Sequence, residues 1–266
     1  MHIVVCAKQI PDPETPPAAF KIDAATNKVV PAAGIAPVLS QFDGIAAEAA
    51  LRIKEAKGGK VTVISLGAES AQAAIKQVLA MGADEGVLLK DAAFDDGDSY
   101  TTARALAAAI KKLGDVDAVF CGRQAADWDM GQVGLLVAEE LGWPVAIIAK
   151  GVEATDSGLK IQRVLADGFE TVEMPLPAVV TVSNEFGDPR YPKLPQIMAA
   201  AKKTVTPWAA ADLGLDAGTV GKAGARLQLQ KLFIPEKSSK VELIAGDTPQ
   251  EQAAALVAKL VADKTL

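Results

Sequence analysis

Histidine is almost absent from this chain of 266 residues. There is one, His2, and there are two cysteines, Cys6 and Cys121. A His/Cys metal centre needs several such ligands at recognisable spacing, so no metal site is expected. Signatures of bond-making enzymes are missing too: no Gly-x-Ser-x-Gly elbow, no Walker loop, no Cys-x-x-Cys pair and no Gly-x-Gly-x-x-Gly fingerprint. Catalysis needs positioned acids, bases or nucleophiles. Without such a set, the expectation is a protein that binds and positions a cofactor, with no catalytic residue of its own. No apolar run reaches the ~18–20 residues of a membrane helix. The start, Met1-His-Ile-Val-Val-Cys-Ala-Lys, has no basic segment before a long apolar one, so a cytoplasmic chain without a targeting segment is expected. Both cysteines sit in apolar runs and are expected as buried, reduced thiols. A net charge of −6 and a pI near 5 argue against nucleic acid or an anionic membrane as partner.

What the chain does have is hydrophobic residues, 50% of the total, in alternating strand and helix patterns. Apolar strands are expected at 3–7, 60–66, 86–89 and 118–121, and helices at 42–56, 70–80, 99–113 and 132–141. Such a βα repeat predicts a doubly wound, mostly parallel α/β sheet. The pattern then changes. Runs at 159–164 and 170–173 flank Asp167-Gly168, a hairpin signal, and 179–182 is a further β-branched strand. Gly187–Gln196 is Pro-rich and reads as irregular. From about Thr204, Pro207, Trp208 and repeated glycines read as an arm on another surface, closed by a helix over 248–262 with Pro249 in its first turn. The expected division is an α/β domain at 1–203 and a C-terminal arm and helix at 204–266.

The most informative stretch runs from Cys121 to Gly134. An apolar strand enters it and an amphipathic helix leaves it, so free N–H groups and a partial positive charge face the turn. That suits a phosphate. Gly122, Gly131 and Gly134 let backbone approach a ligand, and Asp127 and Asp129 are placed to cap the helix or accept from a ribose hydroxyl. A capped turn with no ligand gives the same pattern. In a parallel sheet the site lies at the carboxyl ends of the strands. Cys6, Ala7 and Lys8 end the first strand, Ser65 and Leu66 the second, and Cys121 to Gln124 a later one. Ser40, Gln41, Phe42 and Asp43, just before and within the first helix, offer polar groups and an apolar wall.

Gly-Arg-Gln-Ala-Ala-Asp-x-Asp-x-x-Gln-x-Gly, beginning at Gly122, resembles the nucleotide-binding loop of the electron transfer flavoprotein beta subunit. Five more segments match in order. They are Val5-Cys-Ala-Lys-Gln-Ile-Pro-Asp, Phe42-Asp-Gly-Ile-Ala-Ala-Glu-Ala-Ala-Leu-Arg-Ile-Lys-Glu and Leu79-Ala-Met-Gly-Ala-Asp84, then Leu176-Pro-Ala-Val-Val-Thr181 and Pro189-Arg-Tyr-Pro-Lys-Leu-Pro-Gln-Ile-Met198. The resemblance covers about residues 1–240. It implies an adenine-nucleotide alpha-hydrolase-like, Rossmann-like fold with an added hairpin and an extended C-terminal arm. It also implies AMP held by Cys6, Ser40–Asp43, Leu66 and the run Gly122, Arg123, Gln124, Ala125, Ala126, Asp127, Trp128, Asp129, Met130, Gly131, Gln132 and Val133. The FAD would be bound mostly by an alpha subunit, the other half of a heterodimer embraced by the arm. Electrons would come from a flavin dehydrogenase, such as the acyl-CoA type, and leave to another flavoenzyme or a membrane quinone oxidoreductase. Two positions depart from the pattern. Val133 stands where AMP-binding relatives often have Thr, and bulky Trp128 where Gly, Asp or Asn is common. Gln132-Val133-Gly134 is shared with bifurcating relatives, which hold a second FAD in place of AMP and use NADH and ferredoxin. The motif is compatible with either nucleotide.

Asp188-Pro-Arg-Tyr-Pro-Lys-Leu-Pro-Gln-Ile-Met198 resembles the family's dehydrogenase recognition loop. Its prolines limit loop entropy and so lower the ordering cost of docking. Arg190, Tyr191, Leu194, Pro195, Ile197 and Met198 are the expected partner contacts, with Leu194 as apolar anchor. The competing reading makes Leu194 a cap on the domain's own core. The hairpin around Arg163, Glu170 and Thr171 is similar to the family signature that faces the alpha subunit. A different class, a stand-alone adenine-nucleotide sensor resembling universal stress proteins, shares the fold type but needs neither arm nor proline-rich loop.

Overall fold

The computed structural model describes residues 1–235 and 241–266. Strand β1 (His2–Cys6) forms at once from a β-branched apolar run. An excursion follows, carrying two short antiparallel pairs, β2 (Gln9–Ile10) with β5 (Val38–Leu39) and β3 (Lys21–Asp23) with β4 (Lys28–Val30). The repeating part begins with α1 (Gln41–Lys57) and continues through β6 (Lys60–Leu66), α2 (Gln72–Met81), β7 (Glu85–Leu89), α3 (Ser99–Leu113), β8 (Ala118–Gly122) and α4 (Val133–Leu141). Asp98 fixes the start of α3, accepting from Thr101 N at 2.9 Å. Then come β9 (Val145–Ala154), the hairpin β10 (Leu159–Leu165) and β11 (Gly168–Met174), β12 (Ala178–Val182), α5 (Leu194–Lys202) and β13 (Val205–Trp208).

One nine-stranded sheet holds the order β11-β10-β9-β12-β8-β1-β6-β7-β13. From β9 to β13 all neighbours are parallel, and only β10 and β11 run antiparallel. The doubly wound α/β expectation is therefore met. Alternation along β1 sends Ile3 and Val5 to one face, in a core shared with Ala46 and Ala50 of α1 and Ile75 and Val78 of α2. Val4 and Cys6 point to the other, among Ala103, Leu106 and Ile110 of α3 and Val137 of α4.

Three elements differ from the sequence expectation. The region read as irregular through Gln196 turns helical at Leu194. Pro195 sits in the first turn of α5, where a missing N–H costs no helical bond. Residues 205–208, expected in the arm, form edge strand β13 beside β7, and an edge tolerates Pro207. The long strand β9 carries no alternation that would have marked it. It has register shifts against both neighbours, at Lys150 beside β10 and between Ala146 and Ala149 beside β12, where Ile148 has φ 57°. Compact packing continues through Leu232, past a one-turn helix, α6 (Gly221–Gly224). Phe233–Leu266 forms a second, smaller unit. Within it, α7 (Pro249–Ala262) is capped by Thr248, whose side chain accepts from Glu251 N, and exposes Leu256, Val257 and Val261. Residues 236–240 of the expected arm lie outside the described residues. Among the described residues, no helix is long and apolar enough to cross a membrane.

Candidate functional site

The chain leaves β1 toward β6 and β7 on one side, and later fills β8, β12 and β9 on the other. The order therefore reverses between β1 and β8, and ligand crevices of open α/β sheets form at the carboxyl ends beside such a point. Cys6 and Cys121, the last core positions of these two strands, are both buried free thiols. The hydrogen bond between the two thiols, with burial, pushes Cys121 well above the usual thiol range, so it stays protonated.

Asp43, in the first turn of α1, ties the two strand tips together. Its buried carboxylate accepts from Lys8 N at 2.8 Å and from Gly122 N at 2.9 Å. Ser40 N donates to Lys8 O at 2.9 Å, closing the same corner. Gly122 is required here, because a Cβ would lie 2.6 Å from both Asp43 Oδ1 and Phe42 Cβ. Burial raises the Asp43 carboxyl to about 7, against the pull of the two N–H donors and the Lys8 charge. Since the fold favours the neutral form, this group's contribution to stability is full below about pH 4 and is lost as pH rises through 7. Asn at this position keeps the shape but does not titrate. We expect the stability of the native chain relative to Asp43→Asn to fall by roughly 2–3 kcal/mol between pH 5 and pH 8, at ~1.4 kcal/mol per unit of pH below the raised pKa. Urea midpoints at the two pH values measure it, and a gap that does not change with pH refutes it.

The loop after β8 folds over this corner. Arg123 N donates to Val182 O at 2.9 Å and its guanidinium reaches Ser183 Oγ at 3.3 Å and Gln124 Oε1 at 3.1 Å. Ala125 and Ala126 are half-buried in the turn. Asp127 is joined to Lys8 Nζ by two contacts of 2.7 and 2.8 Å. Asp129, at φ 50°, accepts from Gln124 Nε2 at 2.8 Å, while its own N–H donates to Ala125 O. Both acids are thus turned into the loop, and neither caps α4; the cap position is Gln132, without a side-chain bond. That corrects the expected capping role and leaves the start of α4, at Val133, without an acidic side chain in its first turn. Gly131, at φ 61°, shapes the approach, and Gly134 packs where a Cβ would strike Thr181 Cγ2 at 2.5 Å. Trp128 and Met130 stand exposed on the rim. Leu66 lies half-buried at the end of β6, and Gln41 is exposed at the start of α1.

Two buried hydroxyls in this region, Ser40 Oγ and Ser65 Oγ, have no hydrogen-bond partner. Ser40 also lines a groove of about 530 Å³ with Gln41, Phe42, Asn184 and Pro189. Buried polar groups are ordinarily paired, so orphans beside a crevice fit a polar ligand. Ser183 and the tip of β12 were not among the expected site residues. The signal for them was available, since a parallel strand ending in Ser-Asn belongs at the same edge as the other tips.

The segment expected to dock is presented outward. Tyr191 is 92% exposed and Leu194 68%, with Pro195, Ile197 and Met198 also exposed. Leu194 therefore does not cap the core. Arg190 differs from the others in being drawn inward to carboxylates of α1. On the hairpin, Arg163 pairs with Glu170 at 2.6 Å and reaches Ile147 O at 3.2 Å.

Comparison with known proteins now has a geometry to meet. The profile of the electron transfer flavoprotein domain matches residues 29–213. The electron transfer flavoprotein subunit beta of Clostridium acetobutylicum is 40% identical over 97% of this chain and 96% of its own. The caffeyl-CoA reductase-Etf complex subunit CarD of Acetobacterium woodii is 39% identical over 98% of both chains. The acryloyl-CoA reductase electron transfer subunit gamma of Anaerotignum propionicum is 32% identical, again over 98% of both.

Proposed function

The chain belongs to the electron transfer flavoprotein family, as a beta subunit, and from that premise we propose that it holds an adenine nucleotide at the β1–β8 crevice and helps a partner alpha subunit carry FAD. FAD, when bound, supplies the redox chemistry. This chain's residues bind and orient. The observation that carries the nucleotide reading is the pair of orphaned hydroxyls, Ser40 and Ser65, beside strand tips bound together by Asp43. The loop's acids are already engaged with Lys8 and Gln124, so the α4 N-terminus faces the crevice with its partial positive charge uncancelled. Cys6 and Leu66 provide apolar contact for a base, and the phosphate belongs to the N–H groups near Asp129–Val133.

AMP is the reading we favour. A second FAD in its place, with electron bifurcation from NADH, has one observation on its side: Val133 offers no hydroxyl to a phosphate at the head of α4. The proline-rich segment and the relatives matched over 97–98% of the chain count against the stand-alone sensor. The arm at 204–266 then serves as the embrace of the alpha subunit, consistent with the exposed apolar residues Leu256, Val257 and Val261 on α7. Electrons would enter from a flavin dehydrogenase docked on Tyr191, Leu194 and Met198 and leave to a quinone oxidoreductase or another flavoenzyme.

The test is the mass and absorbance of nucleotide released from the purified complex, for the native chain and for Gly131→Val. Space around Gly131 is open, with Arg123 O nearest at 3.4 Å, but φ 61° disfavours a β-branched residue by about 1–2 kcal/mol. The loop should shift and most of the adenine nucleotide should be lost. Full retention refutes the placement, and FAD in place of AMP selects the bifurcating reading.

A further inference from the structure

The docking helix α5 carries its apolar residues on an outward face, and charged side chains hold both its approach and its far end to the body of the fold. At its entry, Arg190 reaches back across α1. Its N–H and Nε donate to Glu48 Oε2 at 3.1 and 2.6 Å, its Nη2 donates to Glu48 Oε1 at 3.2 Å and Glu55 Oε2 at 3.0 Å, and its Nη1 pairs with Glu55 Oε1. Glu48 is buried and also accepts from Arg52 Nε at 2.7 Å, while Arg52 stacks on Phe186 at 4.8 Å. Burial pushes the Glu48 carboxyl up, but Arg190 and Arg52 outweigh it and hold the group at about 2, so the clasp is ionised throughout the neutral range. At the far end, Lys76 of α2 donates to the carbonyls of Ala200 and Ala201 at 3.0 and 3.1 Å and to that of Lys203. Ala200 and Ala201 lie in the last turn of α5 and Lys203 is its C-cap, the end of a helix where a cation is best placed; Ala200 O also accepts from Lys203 N at 3.1 Å. Lys203 in turn donates to Ala83 O at 2.6 Å.

We infer that Glu48, Glu55 and Lys76 are positioning residues for dehydrogenase docking: they hold α5 rigid and correctly aimed before the partner arrives. The inference rests on the docking reading of Leu194. A nine-residue helix is short for stability on its own, and the two prolines before it, Pro189 and Pro192, restrict the loop without fixing its direction. The clasp and the Lys76 cap supply that direction. Ordering that would otherwise be completed at the moment of binding is completed in the free protein, and preorganisation of this kind acts on affinity.

The experiment uses the complex with its alpha subunit and two independent variants, Glu48→Gln/Glu55→Gln and Lys76→Met, with Lys76→Arg as the conservative control. Amide hydrogen exchange across 190–202 is measured without any dehydrogenase, and flavin reduction is measured with a flavin dehydrogenase as titrant. We expect exchange in α5 to quicken about tenfold or more, KM for the dehydrogenase to rise roughly 3- to 10-fold, and kcat to stay unchanged. Lys76→Arg should restore both. If the double variant does not fold, Lys76→Met decides. Exchange that stays native, or exchange that quickens while KM does not move, overturns the inference. Leu194→Ala run alongside separates the two claims: normal transfer there sinks the docking reading, while the exchange result still judges the clasp.

Discussion

Leu194→Ala should reduce dehydrogenase-driven flavin reduction by roughly 30- to 1000-fold in apparent affinity while leaving the melting temperature nearly unchanged. An apolar anchor in a partner pocket is worth ~2–4 kcal/mol, and each ~1.4 kcal/mol is a factor of ten. Leu194 is 68% exposed in the free chain, so its removal opens little cavity and forfeits little burial. The exposed neighbours Tyr191, Ile197 and Met198 surround it, and the body of the helix stays in place through Ala200, which is buried. That exposure excludes the core-cap reading of Leu194. Transfer and thermal stability measured on the same variant check it. Transfer rates within threefold of native would place the docking contact elsewhere.

Much of this arrangement is legible in the sequence. The limits of β6 and α3 follow from a β-branched run closed by Gly67 and from Asp98 as cap, both local signals. That the strand tips Cys6-Ala7-Lys8 and Cys121-Gly122 meet at one edge was legible because parallel sheets align their carboxyl ends. What failed was non-local. Lys8 and Asp127 are 119 residues apart, and nothing in either segment names the other. Glu48 and Glu55 look like ordinary helix-surface acids until Arg190 arrives from 142 and 135 residues away. Helix α5 was hidden because its prolines read as breakers, although Pro195 falls where the helix tolerates it. Strand β13 was hidden because Pro207 suits only an edge, and an edge is defined by topology.

Gly122→Ala should be the most damaging single methyl in the chain's site. The added Cβ would sit 2.6 Å from Asp43 Oδ1, 2.6 Å from Phe42 Cβ and 2.8 Å from the Phe42 carbonyl carbon. Two of these three belong to or adjoin helix backbone, which cannot give way as a flexible side chain can. Overpacking of this kind costs ~1–3 kcal/mol. Separation of Gly122 N from Asp43 leaves a buried acceptor short of a donor, a further ~1–3 kcal/mol. The total, roughly 2–6 kcal/mol, corresponds to a fall of about 4–24 °C in Tm for a domain of this size. Because Asp43 also holds Lys8 N, the tips of β1 and β8 should part and the nucleotide should be lost with them. Gly131→Ala is the control. Its Cβ meets only Arg123 O, at 3.4 Å, so it carries the ~1–2 kcal/mol of a left-handed residue and little else. Calorimetry on the two variants gives the comparison of stability, and nucleotide content is read on Gly122→Ala against the native chain, because Gly131 belongs to the nucleotide loop itself. Equal melting temperatures would mean that the Asp43 bridge does not hold the crevice, and the site would then have to be built on the α4 loop alone.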